Sequence, residues 1–166
     1  MNNSHTALYG TQTASKILNI KEPEVYFNPY TDFSNPNVSS MYLKSRNAIV
    51  FNDKWLDSAN ELEILTTCFH ETRHAYQFYC IQSDSREDEA TIRTWKSEFE
   101  GYSKPTSTNN PKSDESYLAQ AIEIDAIAFA YHQMKELFDV KVKIPEEIKQ
   151  QSLERIYQIK GDVIHE

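Results

Sequence analysis

The chain has 166 residues, enough for one domain with a real core, and a formal net charge of −8. That charge argues against general affinity for nucleic acid or anionic membranes. It fits a solubilising surface, with a basic partner as the other reading. No apolar run approaches the ~20 residues of a membrane span, and the start, MNNSHTALYGTQTASK, has neither the basic nor the apolar region of a secretory signal.

In chain order, residues 1–12 are polar and expected to be mobile, and 13–20 suit a short helix. Val25-Tyr26-Phe27 is a β-prone run between Pro23 and Pro29, and 28–39 read as a loop. Met41-Tyr42-Leu43 and Ala48-Ile49-Val50-Phe51 flank Ser45-Arg46-Asn47, which predicts an antiparallel hairpin and a sheet of about three strands. A long helix follows, opened by an S-x-x-E capping box at Ser58 and Glu61. Leu62, Leu65, Phe69, Tyr76 and Tyr79 form its core-facing stripe, ending near Ile81.

A second helix is predicted over 84–100, burying Ile92, Trp95 and Phe99, with Gly101 as its stop. Residues 103–116 carry no apolar side chain; this polar loop reads as a solvated linker or as a lid beside a cleft. The third helix spans 115–138, and the last runs from 146 to 160 and stops at Gly161. There is no internal repeat and no domain boundary. The fold class is therefore α+β: one α-rich domain over 1–166, with a small antiparallel sheet packed on two helices.

Cys68 and Cys80 fall in one predicted helix, about 18 Å apart along its axis. A disulfide needs Cα atoms within ~7 Å, so the two cannot pair with each other. Free, buried thiols and no signal peptide fit a reducing cytoplasm.

The chemistry is carried by His70-Glu71-Thr72-Arg73-His74, which reads H-E-x-x-H inside the long helix. Imidazoles four residues apart share one helix face, so both can direct a ring nitrogen at one Zn²⁺. Glu71 lies about 100° round the helix from His70, placed to take a proton from a zinc-bound water. Three fixed positions in five arise by chance on the order of once in a hundred chains of this length, so context must decide. A catalytic zinc has three protein ligands and an open position. In the third helix, Glu123 and Asp125 are carboxylates among apolar neighbours, costly unless paired or metal-bound. They stand ~200° apart, so one metal cannot easily take both: one ligates, and the other is free for a supporting role such as a hydrogen bond to a histidine.

The pairing of H-E-x-x-H with a later Glu123…Ala126…Phe129-Ala130 resembles the gluzincin zinc peptidases. It is similar to the compact ImmA/IrrE-type metallopeptidases and to the membrane-bound Ste24/HtpX-type proteases. The resemblance covers about half the chain. It implies that Glu123 is the third ligand, that a small sheet packs on two metal-bearing helices, and that an edge strand binds extended peptide. Ala48-Ile49-Val50-Phe51 is the expected strand. The sequence departs from the pattern at Ile127, where these families carry Asp or Asn. The ImmA/IrrE likeness also implies cytoplasmic cleavage of regulators, often in mobile elements. No helix-turn-helix is recognisable, so no fused DNA-binding module is expected.

Tyr131 and His132 follow Glu123 on its helix and are candidates to stabilise an oxyanion; Tyr102 and Tyr117, bracketing the polar loop, are others. For each, ordinary packing is the simpler reading. Arg73 points away from the metal face and should pair with an acid of the fold, Cys68 should be core, and His5 and His165 should be solvated. The expected function is hydrolysis of peptide bonds by a zinc-activated water in an intracellular endopeptidase: His70, His74 and Glu123 on Zn²⁺, Glu71 as base. Its partner is a peptide or protein substrate, with no nucleic acid or membrane. The alternative is a non-catalytic zinc protein, a regulatory or counter-defence factor of a mobile element.

Overall fold

The computed structural model describes residues 2–83, 86–106 and 114–162, with side chains described through Lys160. It is mainly helical, with one three-stranded sheet. The central part of the polar loop, 107–113, and His165 lie outside the described residues.

The polar start expected to be mobile is helical instead: α1 spans Asn3–Leu18. The Asn2 side chain caps it by accepting from the Ser4 N–H, and Asn19 closes it in the left-handed region, φ 49°. Apart from Leu18 at its end, its buried face is made of small residues: Thr6, Ala7, Gly10, Thr11, Ala14 and Ser15. A hydrophobicity reading passes over such a face, yet small side chains let two helix backbones come close. A Cβ on Gly10 would stand 2.8 Å from the Cys68 Cβ and 2.9 Å from its Sγ. Gly10→Ala is therefore expected to destabilise the fold by about 1–3 kcal/mol through overpacking, measurable by urea unfolding.

β1 (Glu24–Asn28), β2 (Ser40–Leu43) and β3 (Ala48–Asn52) form a sheet of order β1-β3-β2. The hairpin is present: β2 runs antiparallel to β3, and Asn47 turns between them at φ 47°. β1, however, pairs parallel to β3, so the sheet is mixed rather than antiparallel. β3 is then the central strand, buried throughout, and cannot offer a free edge to a peptide. The free edge on the hairpin side belongs to β2.

α2 (Asp53–Ser58) claims Ser58 for its own end, where the hydroxyl donates to the Trp55 carbonyl. The long helix α3 (Glu61–Ser83) is capped instead by Asn60 and Glu63: the Asn60 N–H donates to Glu63 Oε2 at 2.8 Å, and the Glu63 N–H to Asn60 Oδ1 at 3.0 Å. The capping box is real but lies two residues beyond Ser58 and Glu61. α3 is buried on two sides, not along one stripe. Leu65, Phe69 and Tyr76 pack into the main core, whereas Ile64 and Cys68 pack with Ala7, Ile49 and Phe51 against α1 and the sheet. Leu62 and Tyr79 fall between these faces and are exposed.

α4 (Glu89–Glu100) starts later than predicted, capped by Asp88, and buries Ile92 and Trp95, with Phe99 partly covered. The predicted third helix is broken. A short α5 (Glu115–Leu118) is separated from α6 (Ala121–Phe138) by an extended Gln120. Gln120 turns out of the helix to bind the chain after α4: its Oε1 accepts from the Ser103 N–H, and its Nε2 donates to the Ser103 and Tyr117 carbonyls. Glu98 then caps α6, accepting from the Ala121 and Ile122 N–H groups at 2.9 Å each. α6 is buried on nearly every side, as its apolar circumference requires. After a 3₁₀ turn at Glu146–Ile148, α7 (Lys149–Asp162) continues past the predicted stop and packs on α6. No helix among the described residues is long and apolar enough to cross a membrane.

Candidate metal centre

α3 and α6 pack directly against each other, and their contact brings the motif to the carboxylate. His70 and His74, one turn apart on α3, direct their Nε2 atoms to a point 3.1 Å apart. Glu123 sits in the first turn of α6, where the break at Gln120 starts the helix. Its Oε2 is 3.3 Å from His70 Nε2 and its Oε1 3.4 Å from His74 Nε2. Ligand atoms around a tetrahedral zinc, each 2.0–2.1 Å from the metal, stand roughly 3.3 Å from one another. Each histidine is near that distance from one or the other Glu123 oxygen, and two imidazoles with a carboxylate are a donor set that suits zinc. Among the described residues they form the one group with metal-ligand spacing.

Burial and charge sharpen that fit. Glu123 is fully buried, and its Oε2 has no hydrogen-bond partner among the described residues. An orphaned carboxylate oxygen beside two imidazole nitrogens is costly unless a cation shares the space. Burial alone would raise the Glu123 pKa, but the His74 and His70 imidazoles override it and hold it well below the carboxylate range. Burial alone would likewise lower that of His74, yet the Glu123 carboxylate reverses this and raises it to about 9. The cluster attracts positive charge.

Glu71 is not part of the ligand group. It is buried beside it, and its Oε1 accepts from the Ser40 hydroxyl at 2.8 Å. His70, His74 and Glu71 line a cleft of about 460 Å³, whereas Glu123 is fully buried and not part of its lining. β2 and Phe99 form part of its wall, together with Tyr102, Pro105, Tyr117 and Ile122. Asn35 donates to the Thr106 carbonyl at 3.0 Å, joining two loops that border the opening.

Asp125 does not reach the cluster. It lies in a buried ionic network, accepting from Arg73 Nε at 2.8 Å, Arg73 Nη2 at 3.0 Å and Arg155 Nε at 2.6 Å. Glu87 completes the network against both arginines. Burial would raise the Asp125 pKa, but Arg73 and Arg155 outweigh it and hold it at about 2. Arg73 thus pairs with acids of the fold, as its place off the metal face implies, and Cys68 is core, its Sγ donating to the Ala7 carbonyl.

Tyr131 and His132 do not line the cleft. Eight and nine residues beyond Glu123 carry them about 12–14 Å along α6, with His132 half a turn round from Glu123. His132 faces Glu136, 3.9 Å away, and Tyr131 packs on the main core. The tyrosines at the cleft are Tyr102 and Tyr117, in edge-to-face contact at 6.1 Å. The Tyr102 hydroxyl donates to Glu123 Oε1 at 2.8 Å, and burial together with the Glu123 carboxylate pushes its pKa up, so it stays a donor. Sequence reasoning missed Ser40, which carries no local signal, and Gln77. The latter lies three residues after His74 and so on its face, a spacing that could have found it.

No protein-family model, curated protein or solved structure matches this chain. The function must therefore be argued from the site itself.

Proposed function

We propose that the chain is a zinc-dependent peptidase whose metal is held by His70, His74 and Glu123, an intracellular endopeptidase of the gluzincin kind. The observation that carries this reading is that ligand atoms of His70, His74 and Glu123 lie within 4.8 Å of one another, beside a cleft lined by both histidines and by a glutamate outside the ligand group. A structural zinc site has no need of such a base. Zinc held by these three residues would supply a Lewis acid able to lower the pKa of water towards ~7. Glu71, steadied by the Ser40 hydroxyl, accepts the proton of the attacking water and returns it to the departing amine. The Tyr117 hydroxyl at the cleft is a donor for the carbonyl oxygen as it gains charge, while the single Tyr102 proton is held by Glu123.

The substrate strand in this reading is β2, not β3. The Asn52 N–H donates to the Ser39 carbonyl at 2.9 Å. Alternation along an antiparallel pair then turns the backbone groups of Ser40 and Tyr42 to the free edge, where an extended peptide can pair. Ser40 also bonds Glu71, so peptide pairing and the base meet at one residue.

The test is zinc content and cleavage together. The purified protein should hold one zinc per chain and cut an unstructured polypeptide. A strong chelator should stop cleavage and added zinc restore it. Glu123→Gln should lower zinc affinity by on the order of 100-fold or more, while the zinc-free variant stays folded because the amide oxygen can still accept from Tyr102 and the unpartnered Oε2 has been removed. Failure to bind zinc, or cleavage indifferent to chelator, would refute the proposal.

A further inference from the structure

The strongest unassigned feature beside the cluster is Gln77, a fully buried amide on α3. Its Nε2 donates to the Ile122 carbonyl at 2.9 Å and to Asp125 Oδ2 at 2.7 Å. Both partners only accept, since one is a main-chain carbonyl and the other a carboxylate held between Arg73 and Arg155. The amide is therefore oriented without ambiguity. Flipping it would set its oxygen against two acceptors and lose both bonds. Its Oε1 consequently faces His74 Nδ1, 2.9 Å away, and must accept there.

We infer that Gln77 is the positioning residue of the metal centre: it holds the proton of His74 on Nδ1 and turns the bare Nε2 lone pair towards His70 and Glu123. The inference rests on the zinc reading of the site. A free imidazole exchanges its proton between two nitrogens and rotates about its side-chain bonds, and only one arrangement can ligate through Nε2. Gln77 selects that arrangement, and its own anchor is Asp125, fixed by guanidinium groups from α3 and α7. The chain of contacts runs from Arg155 on the last helix through Asp125 and Gln77 to His74. His70 lacks an equivalent: its contacts to His74 and Glu123 are both made by Nε2, and its Nδ1 has no hydrogen-bond partner among the described residues, so the two ligands are unequally held.

The test compares wild type with Gln77→Met, which keeps the length of the side chain and removes all three bonds. Zinc affinity, measured by competition with a chromophoric chelator, should fall about 10–100-fold, and the visible spectrum of the cobalt-substituted protein should change in band position or intensity. Gly10→Ala serves as the control for lost stability, because it weakens the α1–α3 packing away from the cluster and should leave affinity and spectrum unaltered. Nitrogen-15 spectra of the histidine rings in zinc-free and zinc-loaded wild type provide a readout that needs no variant. One ligand histidine, His74, should show a protonated, slowly exchanging Nδ1. Unchanged zinc affinity in a folded Gln77→Met protein, or a His74 ring bare at Nδ1, would overturn the inference while leaving the zinc site standing. A wild type that binds no zinc would overturn the reading of the metal centre instead, and spectra of the zinc-free protein at a pH where the His74 ring is neutral would still decide the role of Gln77, by which ring nitrogen keeps the proton.

Discussion

Glu71→Gln is expected to keep one zinc per chain and to lose hydrolysis by on the order of 10²–10⁴-fold, the range that a positioned general base contributes. The substitution is close to isosteric. The new amide oxygen can still accept from the Ser40 hydroxyl, so the geometry of the cleft should survive. What disappears is basicity, because an amide cannot take a proton from water near neutral pH. Zinc content should not move, since Glu71 stands outside the ligand group. Initial rates on an unstructured polypeptide, with metal analysis of the same sample, check both halves. A variant that cleaves like wild type removes Glu71 from the mechanism. A wild type that binds zinc but cleaves nothing leaves the site to a non-catalytic role.

Much of this arrangement was legible in the residue order. The motif, its place on a long helix and a buried acid on a later helix follow from helical spacing and from the cost of burying charge. They led to His70, Glu71, His74 and Glu123, which the fold brings together. The choice between Glu123 and Asp125 was not legible from spacing, since both carboxylates are equally buried in an apolar helix. What separates the two is partners distant in sequence: Arg73, 52 residues before Asp125, and Arg155, 30 residues after it, bind Asp125, while Glu123 lies beside His70 and His74. The strand order could not be read either, because hydrophobic alternation does not distinguish a parallel partner from an antiparallel one. For that reason the central strand was mistaken for the edge. α1 was hidden by the opposite problem: its packing face is built from Gly10, Ala7, Ala14 and threonines, whose value lies in being small. The broken third helix was hidden as well, because Gln120 is a good helix former. Its tertiary bonds to Ser103 override that preference and create the first turn in which Glu123 sits.

The two acids of α6 should respond to substitution in opposite ways. Where Glu123→Gln removes the metal and spares the zinc-free fold, Asp125→Ala should cost about 3–5 kcal/mol of stability, the range for breaking a buried charge network by deleting one member. Asp125 accepts four hydrogen bonds, from Arg73 Nε and Nη2, Arg155 Nε and Gln77 Nε2. Deleting it leaves two guanidinium groups with Glu87 as their one remaining acid among the described residues, with Arg73 enclosed by the Tyr76 and Phe129 rings and Arg155 keeping its bond to Gln158. Arg73 is buried and cannot recover water without opening the packing against α6, whereas Arg155 is partly exposed. For a domain of this size each kcal/mol moves the melting temperature by about 2–4 °C, so a fall of roughly 6–20 °C is expected. Melting should be followed in excess chelator, because a ligand that binds only the folded state would add its own stabilisation. A zinc-free Asp125→Ala protein that melts with wild type would show that the network is not a keystone of the fold. If Asp125 were the ligand, its loss would abolish zinc binding while the loss of Glu123 left it intact, the reverse of what the contacts of the two carboxylates require.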